Sequence, residues 1–286
     1  MIFRIRGRTI TFPRRPLVMG ILNLNDDSFC DDGSLDLDWA MGRVRELVSE
    51  GADIIDVGAE SARTNRQAIP EDEEIRRLTP FLARYEEALA DATPADSEQI
   101  FPPLLSVNTW RAAVANAALA IAGDLLNDMS GLPSNENALI CAEAGAALLI
   151  MHTVGEPKVP HTHMAWDDVI TSMCDFFAEK IDLATAAGVP RESLVLDPGI
   201  DFAKQCDDNL RLLREADRLG KFHLPVLLPV SRKSVIGQVL DLPSPNDRDP
   251  GTIACLVAGA LRGATIFRVH NVRAAHQAIR ALHAVA

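Results

Sequence analysis

The 286-residue chain is 48% apolar and carries a formal net charge of −12, an imbalance that argues against non-specific nucleic-acid binding yet leaves room for a local basic pocket that takes an anion. Its cysteines, Cys30, Cys141, Cys174, Cys206 and Cys255, are odd in number and scattered without a C-x-x-C pair, so neither a disulfide framework nor a zinc cluster is expected. No apolar run is long enough to span a membrane, and "MIFRIRGRTITFPRRP" lacks the apolar centre of a signal peptide, so a soluble cytoplasmic protein is expected.

Eight runs read as strands, at residues 17–24, 53–58, 104–107, 124–127, 146–152, 193–197, 224–230 and 265–269. Most are continuously apolar rather than alternating, the pattern of strands buried on both faces of a parallel sheet. Helix-length segments lie between them. Residues 38–50 are one, and their spacing puts Trp39, Val44, Leu47 and Val48 near one buried face before "GAD" ends the helix. Residues 88–103 read as a helix end and a loop. Helix, glycine, strand and polar loop in repetition predict one domain over 1–286, an α/β (β/α)8 TIM barrel.

Such barrels carry their chemistry at the C-terminal ends of the strands. In chain order those ends hold Asn23, Glu60 to Arg63, Asn108, Asn127, His152, Asp197, "SRKS" at 231–234 and "RVHN" at 268–271. Asn127, Asp197 and Lys233 form one set. A carboxylate that accepts two N–H bonds, beside an amide and an ammonium, suits a flat heterocycle with a guanidine-like edge. Asn23, Arg63, Arg268 and His270 form a second set. Guanidinium forks suit phosphate oxygens, and an amide oxygen beside them suits Mg2+, which takes few protein ligands. His152, His161 and His163 are read as exposed loop histidines rather than metal ligands.

The ordered motifs "MGILNLNDDSF", "GADIIDVGAESAR", "SVNTW", "NDMSG", "DPGIDFAK", "SRKSVIG" and "RVHNV", from about residue 17 to 272, resemble those of the dihydropteroate synthase family. The resemblance implies condensation of 6-hydroxymethyl-7,8-dihydropterin pyrophosphate with p-aminobenzoate, giving 7,8-dihydropteroate and pyrophosphate in folate biosynthesis. It implies pterin contacts at Asn127, Asp197 and Lys233, and pyrophosphate and Mg2+ contacts at Asn23, Arg268 and His270. Arg63 would act on the leaving group, and Ser234 would meet the p-aminobenzoate carboxylate. Loops 25–33 and 61–67 would close over the site. A homodimer is also implied, supported by the apolar last helices.

The chain departs from the family pattern in both loops, with Asn25-Asp26-Asp27 and Ala62-Arg63-Thr64-Asn65. It also has Asn108 and Asn271 where the family has Asp. Asn108 keeps hydrogen bonding at the catalytic position but loses the charge that would oppose a developing cation. Two other readings therefore stay open: a pterin-binding paralogue without synthase activity, and a methyl-tetrahydropterin methyltransferase.

Overall fold

The computed structural model describes residues 1–25, 30, 32–61, 64, 66–161 and 163–285. The strands are β1 (Ile2–Ile5), β2 (Arg8–Thr11), β3 (Leu17–Asn23), β4 (Ile54–Gly58), β5 (Leu104–Asn108), β6 (Leu125–Asp128), β7 (Ala147–Met151), β8 (Leu194–Asp197), β9 (Leu227–Leu228) and β10 (Ile266–Val269). The helices are α1 (Leu37–Glu50), α2 (Glu71–Ala90), α3 (Ala112–Leu119), α4 (Glu136–Ala144), α5 (Val169–Ala186), α6 (Cys206–Arg214), α7 (Ser234–Leu240), α8 (Asp249–Ala260) and α9 (Val272–Val285).

Strands β3 to β10 form one parallel sheet in the order β8-β7-β6-β5-β4-β3-β10-β9, and a bridge between Leu196 and Val226 joins its two ends. The expected (β/α)8 barrel is therefore what the chain forms, and all eight expected strands contribute. The expected strand 224–230 pairs as a ladder over two residues only, because Pro225 and Pro229 remove backbone donors on either side.

Helix α1 shows why the boundaries fall where they do. Asp36 caps it by accepting the Trp39 N–H at 3.0 Å. Gly51 ends it at φ 107°, and a side chain there would run into the His276 ring. Ala40, Met41, Val44, Leu47 and Val48 are buried, but Trp39 is 38% exposed. Trp39 therefore departs from the expected face: the stripe centres on 40, 44, 47 and 48, and residue 39 lies at its edge.

The N-terminal hairpin is not among the expected elements. β1 and β2 pair antiparallel around Arg6 and Gly7, both at positive φ, as a tight hairpin requires. Phe3, Ile5, Ile10 and Phe12 turn inward and pack with Leu17, Met19, Ile54, Leu104, Leu149 and Ile266. These are inward residues from the N-terminal halves of the strands, so the hairpin closes the barrel floor opposite the site.

Asp53 fastens that end. Its carboxylate accepts from Arg15 at 2.8 and 3.0 Å, from the Val18 N–H at 2.9 Å and from the Ile100 N–H at 2.9 Å. Both charged side chains are essentially sealed from solvent. Asp53→Ala leaves a buried, unpaired guanidinium and two orphan amides, and should cost about 3–5 kcal/mol of stability. A urea midpoint close to that of the wild type would contradict this.

Candidate active site

The C-terminal strand ends surround a cavity of about 640 Å³. Asn23, Asn108, Asn127, Asp197, Lys233, Ser234, Arg268 and His270 all line it. The structure thus brings together every sequence-predicted site residue except Arg63, which lies outside the described residues, as do Ala62 and Asn65 of the second loop and Asp26 to Phe29 and Asp31 of the first.

The floor is organised by Asp56, a residue of the "GADIIDVGAESAR" motif that the sequence reading did not single out. It lies two residues before the end of β4, and the two-residue side-chain period turns it and Gly58 inward. Register places Asp56 beside Ser106, Gly58 beside Asn108, and Asn108 beside Asn127. The Asp56 carboxylate is fully buried and accepts from Ser106 Oγ at 2.5 Å, Asn127 Nδ2 at 3.2 Å, Asn108 Nδ2 at 3.4 Å and Arg268 Nε at 2.7 Å. Both amides thus give their N–H₂ to Asp56 and keep their carbonyl oxygens for the cavity. The sequence did hold a signal: a carboxylate inside the apolar run "IIDVG" must find partners.

Arg268 is therefore held by an acid at the cavity wall. Its Nε binds Asp56, while its other N–H groups have no protein partner among the described residues. His270 is positioned by Ser231, whose Oγ lies 2.8 Å from Nδ1. Burial lowers the His270 pKa to about 4 against the opposing pull of Asp32, so the ring is neutral at neutral pH. Asn23 donates from Nδ2 to Asp32 at 2.9 Å, and the Asp32 carboxylate is 3.9 Å from His270. Among the described residues there is no cluster of three or more His, Cys, Asp or Glu that would cage a metal. Asn23 and Asp32 offer the hard oxygen donors that suit Mg2+, an ion usually held by one or two protein ligands plus substrate phosphates.

Asp197 is buried at the end of β8 and accepts the Gly199 N–H at 2.7 Å. Burial raises its pKa to about 6, with the Gly199 bond and the charges of Lys233, Lys204 and Arg268 pulling the other way. Lys233 reaches the same space. Its Nζ donates to Ile200 O at 3.0 Å, lies 4.5 Å from the centre of the Phe202 ring, and has its pKa lowered by burial. A second ammonium, Lys204, is absent from the expected set: its Nζ donates to His152 O and Phe202 O, both at 2.9 Å, and burial lowers its pKa to about 7.

One further expectation is corrected. His152 is not an exposed loop histidine: it is 1% exposed, packed edge-on and tilted among Trp166, Phe176 and Phe177, and burial lowers its pKa to about 3. Arg232, the first cation of "SRKS", does not enter the site. It is bound to Asp249 at 2.7 and 3.1 Å and to Asn246 at 2.9 Å.

The model of the pterin binding enzyme family matches residues 19–270. The dihydropteroate synthase of Escherichia coli K12 is 36% identical over 94% of this chain and 91% of its own. The chain belongs to the dihydropteroate synthase family of pterin-binding enzymes. A solved dihydropteroate synthase from Yersinia pestis, described as a sulfonamide drug complex, superposes with a TM-score of 0.88 at 36% identity, covering 100% of this chain and 98% of that one. A probable bifunctional folylpolyglutamate synthase/dihydropteroate synthase of Haloferax volcanii is 40% identical over 89% of this chain, which spans only 29% of that relative. Dihydropteroate synthases are transferases of folate biosynthesis. No helix among the described residues is long and apolar enough to cross a membrane.

The Asp197 environment can be tested without substrate. A raised acid pKa means that protonation favours the fold. This group's contribution to stability is full below the ordinary aspartate range and is lost as pH rises through about 6. Carbon-detected NMR of the Asp197 carboxyl should show a midpoint near 6. Lys204→Ala should move it higher, because that ammonium favours the carboxylate. A midpoint in the ordinary range, or a downward move in Lys204→Ala, would contradict this reading.

Proposed function

We propose that this chain condenses 6-hydroxymethyl-7,8-dihydropterin pyrophosphate with p-aminobenzoate, releasing pyrophosphate and forming 7,8-dihydropteroate. The observation that carries the proposal is the grouping of Asp197, Lys233 and Asn127 with Arg268 and His270 around one cavity in a chain that belongs to this family.

On this reading the Asp197 carboxylate accepts from the pterin amino group and the adjacent ring N–H. Lys233 donates to the ring carbonyl or a ring nitrogen, and the Asn127 and Asn108 oxygens accept along the remaining edge. Arg268 turns its unengaged N–H groups to the pyrophosphate, with His270 as a neutral donor beside it and Arg63 as a further cation on the leaving group. Asn23, with Asp32 beside it, would hold Mg2+, which neutralises pyrophosphate charge when bound. Ser234 meets the acceptor's carboxylate, and the amine attacks the pterin methylene as the carbon–oxygen bond to pyrophosphate breaks.

Leaving-group departure builds positive charge on the methylene. Asn108 cannot oppose it as a carboxylate would, but Asp56 stands directly behind the Asn108 amide and supplies a fixed negative charge. That makes Asn108 compatible with turnover and favours the synthase over a pterin-binding paralogue. The phosphate-facing Arg268 and His270 favour it over a methyltransferase.

We assign the reaction to the cytoplasm, to a single domain spanning 1–286, and to a homodimer through α8 and the turn after it. There Ile253 and Val257 are only partly buried and Leu261 is 67% exposed. A monomer in sedimentation at micromolar concentration would reject the dimer.

Mixing the protein with dihydropterin pyrophosphate, p-aminobenzoate and Mg2+ should release pyrophosphate. Pterin binding without release would favour the paralogue. Lys233→Ala should weaken pterin binding by about 2–5 kcal/mol, the cost of truncating a buried charged partner, and calorimetry showing affinity within a few-fold of wild type would remove Lys233 from the pterin site. Asp56→Asn should lower kcat about ten- to a hundredfold by removing the fixed charge and loosening Arg268, and unchanged kcat in the folded variant would reject that role.

A further inference from the structure

The carboxylate anchor assigned to Ser234 is already engaged by a carboxylate of the protein itself. Asp201 follows β8 in the run Ile200-Asp201-Phe202, and its Oδ2 accepts the Ser234 N–H at 2.5 Å. The backbone is bent to allow it: Asp201 has φ +66°, in the left-handed region that a non-glycine residue enters at some cost. The side chain is also held in place. Asn209, 2% exposed, takes the Asp201 N–H on its Oδ1 at 2.8 Å and gives its Nδ2 to Asp201 Oδ1 at 3.1 Å. Asp201, Phe202, Lys233, Ser234 and Gln238 share the wall of the cavity. This is a fixed anion at the cavity wall, oriented by a buried amide.

We propose that Asp201 is a specificity-determining residue of the arylamine subsite, setting it against a para-carboxylate and in favour of a neutral para substituent that donates hydrogen bonds, such as a carboxamide. The inference rests on the reading of Ser234 as the acceptor's anchor. An incoming carboxylate finds the Ser234 N–H engaged and meets a like charge at hydrogen-bonding range, so it binds only by displacing Asp201 from Ser234 and Asn209. A carboxamide instead offers N–H groups to the Asp201 oxygens and needs no displacement. The charge on Lys233 is shared too, since Asp201 is the anion acting most strongly on it, ahead of Asp197. p-Aminobenzoate on this account remains a substrate, used at a higher KM than the bare pocket would give.

The test compares p-aminobenzoate with p-aminobenzamide, whose reacting amines are alike, in the wild type, Asp201→Gly and Asp201→Asn. Glycine suits the positive φ and empties the space. Asparagine tolerates the same backbone and removes only the charge. Both variants should lower the KM for p-aminobenzoate about tenfold or more and leave that for p-aminobenzamide unchanged or raised, so that the preference swings toward the carboxylate. Calorimetry of each arylamine, with dihydropterin, pyrophosphate and Mg2+ present, reads the same ratio without turnover. A swing in binding with no pyrophosphate release in any protein would uphold Asp201 and count against the reaction alone. A ratio that stays within about twofold of the wild type in both variants, by turnover and by binding, would overturn the inference.

Discussion

One buried negative charge organises the mouth of this barrel. Asp56 is sealed from water on β4, where an unpartnered carboxylate would be very costly, and three other strands of the barrel supply its donors: Ser106 and Asn108 from β5, Asn127 from β6 and Arg268 from β10. Satisfying it fixes two amides and one guanidinium that line the cavity. These cavity-lining groups are thus set by the protein itself, on strands rather than loops. Such preorganisation makes polar groups worth more to binding and catalysis than the same groups in water.

The other side of the cavity works by a different balance. Asp197, Lys204 and Lys233 crowd together where burial disfavours each charge: it raises the acid and lowers both amines. The charges partly offset one another there, since each amine favours the carboxylate that burial disfavours. Asp56 is fully paired by the protein, whereas Asp197 accepts one backbone N–H from Gly199 and has capacity left for a ligand.

The departures from the family's motifs become intelligible as local solutions. Asn271 donates from Nδ2 to Asp249 at 2.9 Å and accepts the Ala274 N–H at 3.0 Å, capping the start of α9. A carboxylate at 271 would face the Asp249 carboxylate instead of bonding to it. Asn108 similarly lies against Asp56, to which it donates. In both places the amide converts a like-charge contact into a hydrogen bond.

The sequence by itself determined the architecture and most of the site. Short continuous apolar runs bounded by turn signals read as strands covered on both faces, glycines such as Gly51 end helices for steric reasons, and polar residues at strand ends must converge once the strands close into a ring. That logic reached Asn23, Asn108, Asn127, Asp197, Lys233, Arg268 and His270 from one-dimensional spacing. It did not reach the hairpin at residues 2–11: Phe3 and Ile5 alternate with Arg4 and Arg6, but a run that short carries too few repeats for a period of two to stand out. Only the tertiary structure decided how the charges pair. Whether Arg268 is free or held by Asp56, whether Arg232 enters the site or binds Asp249, and whether Ser234 meets a ligand or Asp201 all turn on distances of a few ångströms between residues 17 to 212 positions apart. Local sequence carries no record of such distances, because they arise from barrel closure and strand register.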